Sequence, residues 1–421
     1  MFKFPDMAFV RQKLFMSEIK DIAETCRAIF QKIPAHSQSE NGETVAVAVG
    51  SRNIDNIHVV LDQILRFLSQ RGFKPFIVPA MGSHGGATAD GQKEVLAKYK
   101  ITETLMKVPI LSDMETESIA TLPFGLKVHV SKAALSADHV VIINRIKPHT
   151  KFKADIESGL CKMMTIGLGK AKGASEFHQY AVSHTFGIIE DAAKILLNKL
   201  NVLFGIGLLE DGYGKLARVE VVFPDDLVAR EKVLLKDAYS LMGRIPFDNI
   251  DILIVDEIGK DISGIGMDSN ITGRHRDIVG DVNMHPHVKR IFVRNLSPGS
   301  DGNANGIGLA DVTTRRLVDR LDIEKTYVNA ITAISPEKAA IPIHFDTDRQ
   351  CIDACIRTTG CAAPEDLRVV RIKNTASLEF LQVSRTLERE LFSNEKLDLI
   401  VPWKKIGFDK FDNLPEFELD G

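Results

Sequence analysis

The sequence predicts an α/β protein of two domains, each with a mainly parallel sheet, and an active-site cleft between them. Three observations carry that class. Short β-branched runs closed by glycine or proline alternate with amphipathic helical stretches. A second series of such runs begins after a charged helix. The chain has 421 residues, 44% of them apolar, which is enough to fill two cores.

Met1 to Pro34 reads as a strand followed by an amphipathic helix and lacks the unbroken apolar core of a signal peptide. "VAVAVG", Val45 to Gly50, has the composition of a strand buried on both faces. Ile57, Val60, Leu61, Ile64, Leu65 and Leu68 then recur at helical spacing until Gly72 offers a stop, and Phe76 to Pro79 resumes a strand. Strand, helix, strand in that order predicts a right-handed βαβ unit, with ligands at the carboxyl ends of the strands. Ser51 to Asn53 and Met81 to Ala87 occupy those ends.

The pattern repeats in "HVVIIN", His139 to Asn144, and "VLFGIGLLE", Val202 to Glu210. A charged helix around Asp226 to Met242 leads to a boundary near Arg244 to Asn249, and Ile250 to Val255 opens the second α/β unit. "IFVRNLS" and "VVRIKN" follow as strands. The predicted division is 1–245 for the domain with the candidate site and 246–399 for the domain that closes the cleft. The strand-like tail, about 400–421, is expected to return to the first domain.

Lys plus Arg number 53 against 56 Asp plus Glu, a balance of −3 without the basic footprint of a nucleic-acid binder. No run approaches the ~18 apolar residues of a membrane span. The expectation is therefore a cytoplasmic protein with neither nucleic acid nor membrane as partner. Five cysteines form an odd set, which argues against a disulfide framework. Cys351 and Cys355, one helical turn apart, could join Cys361 as cluster ligands; without a Cys-x-x-Cys they read as small core thiols.

Candidate site residues cluster after the strands of the first domain. "AMGSHGGATADGQ", Ala80 to Gln92, sets His84 among Gly82, Ser83, Gly85 and Gly86 ahead of a helix that Asp90 could cap, a place suited to an anion; alternatively His84 bonds the local backbone. Arg52, in "VGSRN", has the fork that grips a carboxylate, or makes a surface salt bridge. "KPHTK" puts His149 just past a strand end. Lys162, in the apolar "SGLCKMM", reads as a desolvated amine or as a lysine snorkelling from a helix. "GLGKAKG", Gly167 to Gly173, resembles a phosphate-cradling loop without P-loop spacing, and His178 follows on a helix, as a ligand or a surface side chain. "GIGLLE" carries two glycines of a dinucleotide fingerprint but has Glu210 where the third belongs. "GKDISGIGMDSNITGR" and "DGNANGIGLAD" are expected to line the cleft from the second domain.

The order Arg52, His84, His149, Lys162, His178 resembles that of the lactate racemase family, the nickel-pincer nucleotide enzymes, through most of the first domain. The resemblance implies a racemase or epimerase of a 2-hydroxy acid that works by proton-coupled hydride transfer to the cofactor, a nickel complex of pyridinium-3,5-bisthiocarboxylic acid mononucleotide. It implies roles as well. Arg52 holds the substrate carboxylate, His84 and His149 exchange protons, Lys162 tethers the pyridinium ring and His178 ligates nickel. Gly82, Ser83, Gly85 and Gly86 lie by the nucleotide, and Lys260 and Trp403 are its contacts in the second domain. Enzymes that make the cofactor become partners. Better-known members have an acid and a threonine before the arginine and a basic residue after the first histidine; here Val49, Gly50, Ser51 and Gly85 appear. These departures fall on substrate and phosphate contacts. Two other readings of the histidines stay open: a zinc site for hydrolysis, and a non-catalytic metal- or nucleotide-binding protein.

Overall fold

The computed structural model describes residues 4–34, 39, 41–50, 54–278 and 285–418. The chain forms two compact units, one of Met16–Met242 and one of Met1–Phe15 with Gly243–Gly421. No helix among the described residues is long and apolar enough to cross a membrane.

The unit Met16–Met242 is built on a five-stranded sheet in the order Lys74–Pro79, Thr44–Val49, His139–Arg145, Val202–Glu210, Leu216–Val222. The first four strands run parallel and the last is antiparallel. Val49 stands beside Pro79 on one side and Ile143 on the other, so these strands end together at one edge. The sheet is buried on both faces, which is why its strands are continuous apolar runs. On one face Phe204, Ile206 and Leu208 pack into a core with Val60, Leu61, Ile64 and Leu68 of the helix Ile57–Gln70 and Phe30 of the helix Ile22–Phe30. On the other, Gly205 and Gly207 leave room for Leu160 and for Leu227 and Leu234 of the helix Leu227–Leu241; a Cβ on Gly205 would lie 2.7 Å from Leu160 Cδ1. The glycines of "GIGLLE" thus serve packing.

The other unit holds an eight-stranded mixed sheet, ordered Ile343–Phe345, Val312–Thr314, His287–Leu296, Asn249–Ile258, Val369–Asn374, Ser377–Ser384, Asp6–Gln12, Leu397–Lys405. Asp6–Gln12 lies antiparallel between Ser377–Ser384 and Leu397–Lys405. This corrects the expectation that the first domain starts at residue 1 and takes back the tail: both ends of the chain complete this second sheet. A buried charge network holds the tail there. Asp256 pairs with Arg294 and Arg371, and these arginines donate to the carbonyls of Leu414 and Pro415 at 2.8 and 2.7 Å. Removing the C-terminal tail would leave buried guanidinium N–H groups without these acceptors.

The two glycine-rich stretches of this unit pack on each other. A Cβ on Gly266 would meet the Asn305 carbonyl at 2.6 Å, and one on Gly306 the Ile265 carbonyl at 1.7 Å. Cys351 and Cys355 are fully buried in the core, and burial pushes the Cys351 thiol up to about 12.

Candidate active site

Loops leaving the shared edge of the five-stranded sheet carry the candidate residues. Arg52, after Thr44–Val49, lies outside the described residues.

After Lys74–Pro79 the chain turns through Ala80, whose N–H donates to the Val49 carbonyl at 2.8 Å, and Gly82, whose N–H donates to the Gly167 carbonyl at 3.1 Å. Gly82 has φ +58°, which suits glycine. Ser83 accepts from Ala87 N–H through its carbonyl. Gly85 lies so close to the following helix, Ala89–Lys98, that a Cβ would meet Gly91 at 2.4 Å, whereas the space beside Gly86 is open. Thr88, in place of the expected Asp90, caps that helix by accepting from Gly91 N–H. The Thr88 backbone is extended and Asp90 already lies in the first turn. His84 is exposed on this turn.

Beneath the turn lies Lys170, fully buried, where "GLGKAKG" suggested a phosphate loop. Its Nζ donates to the Pro79 carbonyl at 2.7 Å and to Gln92 Oε1 at 2.9 Å, and Gln92 Nε2 donates to the Gly82 carbonyl at 2.9 Å. Burial lowers the Lys170 amine to about 8. The lysine braces the His84 turn from inside.

After His139–Arg145, Lys147 bridges Ser158 and closes a loop around His149. The His149 N–H donates to the Glu157 carboxylate, and its Nδ1 accepts from Lys151 N–H at 3.0 Å. A neutral ring so held carries its proton on Nε2. The ring stacks on Phe152 with centroids 4.3 Å apart, and Phe152 stacks on Phe186 at 3.9 Å and 9°.

Two further residues meet this aromatic pair. Lys162 Nζ lies 5.6 Å from the Phe152 ring centre, within cation–π range, and the His178 ring stands 6.1 Å from Phe186 at 75°. Lys162 ends the short helix Leu160–Lys162, which runs into a π-helical turn, Met163–Gly167, a form that concentrates at functional sites. Behind it, the fully buried Glu231 accepts Cys161 N–H at 2.8 Å, and burial pushes its carboxyl up to about 7. A Cβ on Gly159 would meet that carboxylate at 2.2 Å. His178 projects from the helix Lys170–His184, half-buried.

The structure therefore brings His149, Lys162 and His178 to one aromatic pair and ties the His84 turn to the same π-helical segment through Gly82 and Gly167. Lys260 and Trp403 belong to the other unit. Lys260 Nζ donates to the Gly264 carbonyl at 2.5 Å, and Trp403 packs edge-on to Phe392 at 6.1 Å. The strand that precedes Lys260, Asn249–Ile258, and the strand of Trp403, Leu397–Lys405, are separated by three others in the sheet, about 19 Å at the usual strand spacing. Phe152, Phe186, Glu157, Lys170 and Gln92 were missed in the sequence. A single phenylalanine or buried polar residue has no periodic signal.

The zinc reading needs His84, His149 and His178 to converge. Among the described residues no group of three or more His, Cys, Asp or Glu could hold a metal ion. A pincer complex brings its own sulfur and carbon donors and needs one imidazole, so a single His178 at the aromatic pair that the Lys162 amine also meets fits that group.

Residues 10–186 match the lactate racemase N-terminal domain. Two solved structures are similar to the chain. One, of a protein from Thermotoga maritima, is 15% identical, with 76% of this chain and 80% of that one covered at a TM-score of 0.49. The other, the lactate racemase apoprotein from Thermoanaerobacterium thermosaccharolyticum, is 15% identical, with 92% and 91% covered at a TM-score of 0.46. No curated protein matches. The segment that matches the lactate racemase N-terminal domain contains His84, His149, Lys162 and His178.

Proposed function

We propose that the protein racemises or epimerises a 2-hydroxy acid at the hydroxyl-bearing carbon. The family of residues 10–186 supports racemase or epimerase chemistry in general. The observation that carries the finer reading is the meeting of His149, Lys162 and His178 at the Phe152–Phe186 pair.

The C–H bond of a 2-hydroxy acid is weakly acidic, and in this reading the carbon gives up a hydride to an acceptor instead of a proton to a base. A nickel-pincer nucleotide supplies that acceptor when bound. Lys162 would tether its pyridinium ring through a thioamide, and His178 would ligate the nickel. Arg52 would hold the substrate carboxylate in a two-point fork. His84 and His149 would then exchange the hydroxyl proton from either side, each changing role with the direction of reaction.

His149 starts with Nε2–H as a donor toward substrate oxygen. To become an imidazolium, or to offer a lone pair at Nε2, it must release the Lys151 N–H from Nδ1. The stacked phenylalanines exclude water from one face of the ring.

The test is expression with cofactor-making enzymes, followed by nickel analysis, intact mass and a panel of 2-hydroxy acids scored for loss of optical purity. Nickel, a mass increment and racemisation of at least one acid are expected. In His178→Ala nickel should be lost, and full retention removes that residue from the site. In His84→Ala or His149→Ala racemisation should vanish while nickel stays; substantial residual turnover rejects the two-histidine scheme.

A further inference from the structure

We propose that Glu157, Lys153 and Tyr239 are positioning residues that hold His149 by its backbone, fixing where the imidazole stands. This inference rests on the reading in which His149 exchanges a proton with substrate.

Both main-chain groups of His149 end on side chains. Its N–H donates to the Glu157 carboxylate, and its carbonyl accepts from Lys153 Nζ at 3.3 Å. The two side chains meet at one hydroxyl: Lys153 Nζ donates to Tyr239 Oη at 2.6 Å, and Tyr239 donates to Glu157 Oε1 at 2.9 Å. Lys153 also lies 3.6 Å from the Glu157 carboxylate and 4.9 Å from the Tyr239 ring centre. Glu157 is 2% exposed. Removing a partner would leave a buried charge or donor uncompensated, so the set is tightly specified.

Tyr239 comes from the helix Leu227–Leu241, packed against the sheet, so the His149 loop is referenced to a rigid element. The ring's own contacts are local: Nδ1 accepts from an amide two residues on, and the ring stacks on Phe152 three residues on. Those local contacts would travel with a shifted loop. Through Tyr239, Lys153 and Glu157 tie the backbone of His149 to a helix outside the loop, alongside the Phe152–Phe186 stack and the Asp155–Lys232 pair. Displacing a reacting group by ~1 Å costs on the order of 100-fold in rate.

The experiment uses the full chain with histidine side chains isotopically labelled. Ring signals are assigned by comparison with His149→Ala, His84→Ala and His178→Ala. In Glu157→Gln and Tyr239→Phe the His149 ring signal should shift or broaden while those of His84 and His178 stay in place. In cofactor-loaded protein, kcat should fall roughly 10- to 100-fold with KM nearly unchanged. Tyr239→Phe removes one hydroxyl and keeps the ring, so it carries the test if Glu157→Gln does not fold. An unmoved His149 signal in Tyr239→Phe overturns the proposal, as does a loss confined to KM. Moved signals in a parent protein that racemises no 2-hydroxy acid would leave the positioning set standing and overturn the racemase reading alone.

Discussion

The loops bearing His84 and His149 leave the same sheet edge, yet each is braced by a buried group of opposite charge. Under the His84 turn lies Lys170, whose amine bonds the Pro79 carbonyl and Gln92. Under the His149 loop lies Glu157, whose carboxylate takes the His149 N–H with Lys153 close by. The first group has neutral acceptors alone among its hydrogen-bond partners, and the second has a cation. Burial therefore lowers Lys170 to about 8, whereas it raises Glu157 against the opposing pull of Lys153. A turn can thus be braced through carbonyls by a buried amine whose pKa is lowered, while a loop braced through an N–H needs a carboxylate and hence a counter-ion.

The contrast is tested most strongly by the pH dependence of stability. Lys170 has a folded value of about 8 against 10.5 for the ordinary amine, so between those values the unfolded chain binds more protons than the folded one. Stability of the parent relative to Lys170→Met should rise from pH 8 to 10.5, by up to about 3 kcal/mol. Below pH 8 that gain is absent. Denaturant unfolding of both proteins across the window measures it; a flat difference would mean that Lys170 is not desolvated as described.

A slightly smaller effect sharpens the carboxylate side. Glu231, behind Lys162, is fully buried and accepts from the Cys161 N–H and thiol; among the described residues no ion pair compensates it, and burial pushes its carboxyl to about 7 from 4.5. Its folded value is raised, so its contribution is complete below pH 4.5 and is lost as pH rises through 7. Relative to Glu231→Gln, the parent should lose about 2 to 3 kcal/mol between pH 4.5 and 8. Glu157→Gln should change in the same direction but by less, because Lys153 compensates the charge. Equal slopes for the two variants would remove the distinction between a carboxylate with a counter-ion and one without.

Much of this edge was legible in the sequence because it follows from periodicity. Val45 to Val49, Phe76 to Pro79 and His139 to Asn144 are runs that only a sheet buried on both faces accommodates, and their order places His84 and His149 after strands. Partner choice was not legible. The strand Asp6–Gln12 pairs across almost the whole chain with Ser377–Ser384 and Leu397–Lys405, in a unit whose tail is held by arginine bonds to Leu414 and Pro415. Nor was Lys170: in "GLGKAKG" it reads as a solvated cation, and only the turn above it supplies the acceptors that let it be buried. Phe152 and Phe186 stack across a long stretch of chain with no local pattern to announce it.

The smallest effect separates bracing from binding within the His84 turn. Gly82, Gly85 and Gly86 all have positive φ, so alanine at each costs about 1 to 2 kcal/mol in backbone strain alone. Their surroundings differ. At Gly85 a Cβ would run into the backbone of Gly91, at Gly82 it would touch Ala174 at 3.4 Å, and at Gly86 it would meet nothing within 4 Å. Gly85→Ala should therefore destabilise most. Gly86→Ala should lose only the strain of about 1 kcal/mol. If the open side of the turn receives the nucleotide, Gly86→Ala is also the substitution in which nickel content falls further than stability predicts. Nickel retained at the parental level, with about 1 kcal/mol lost in denaturant, would assign the turn to positioning His84 and remove Gly86 from the cofactor contacts.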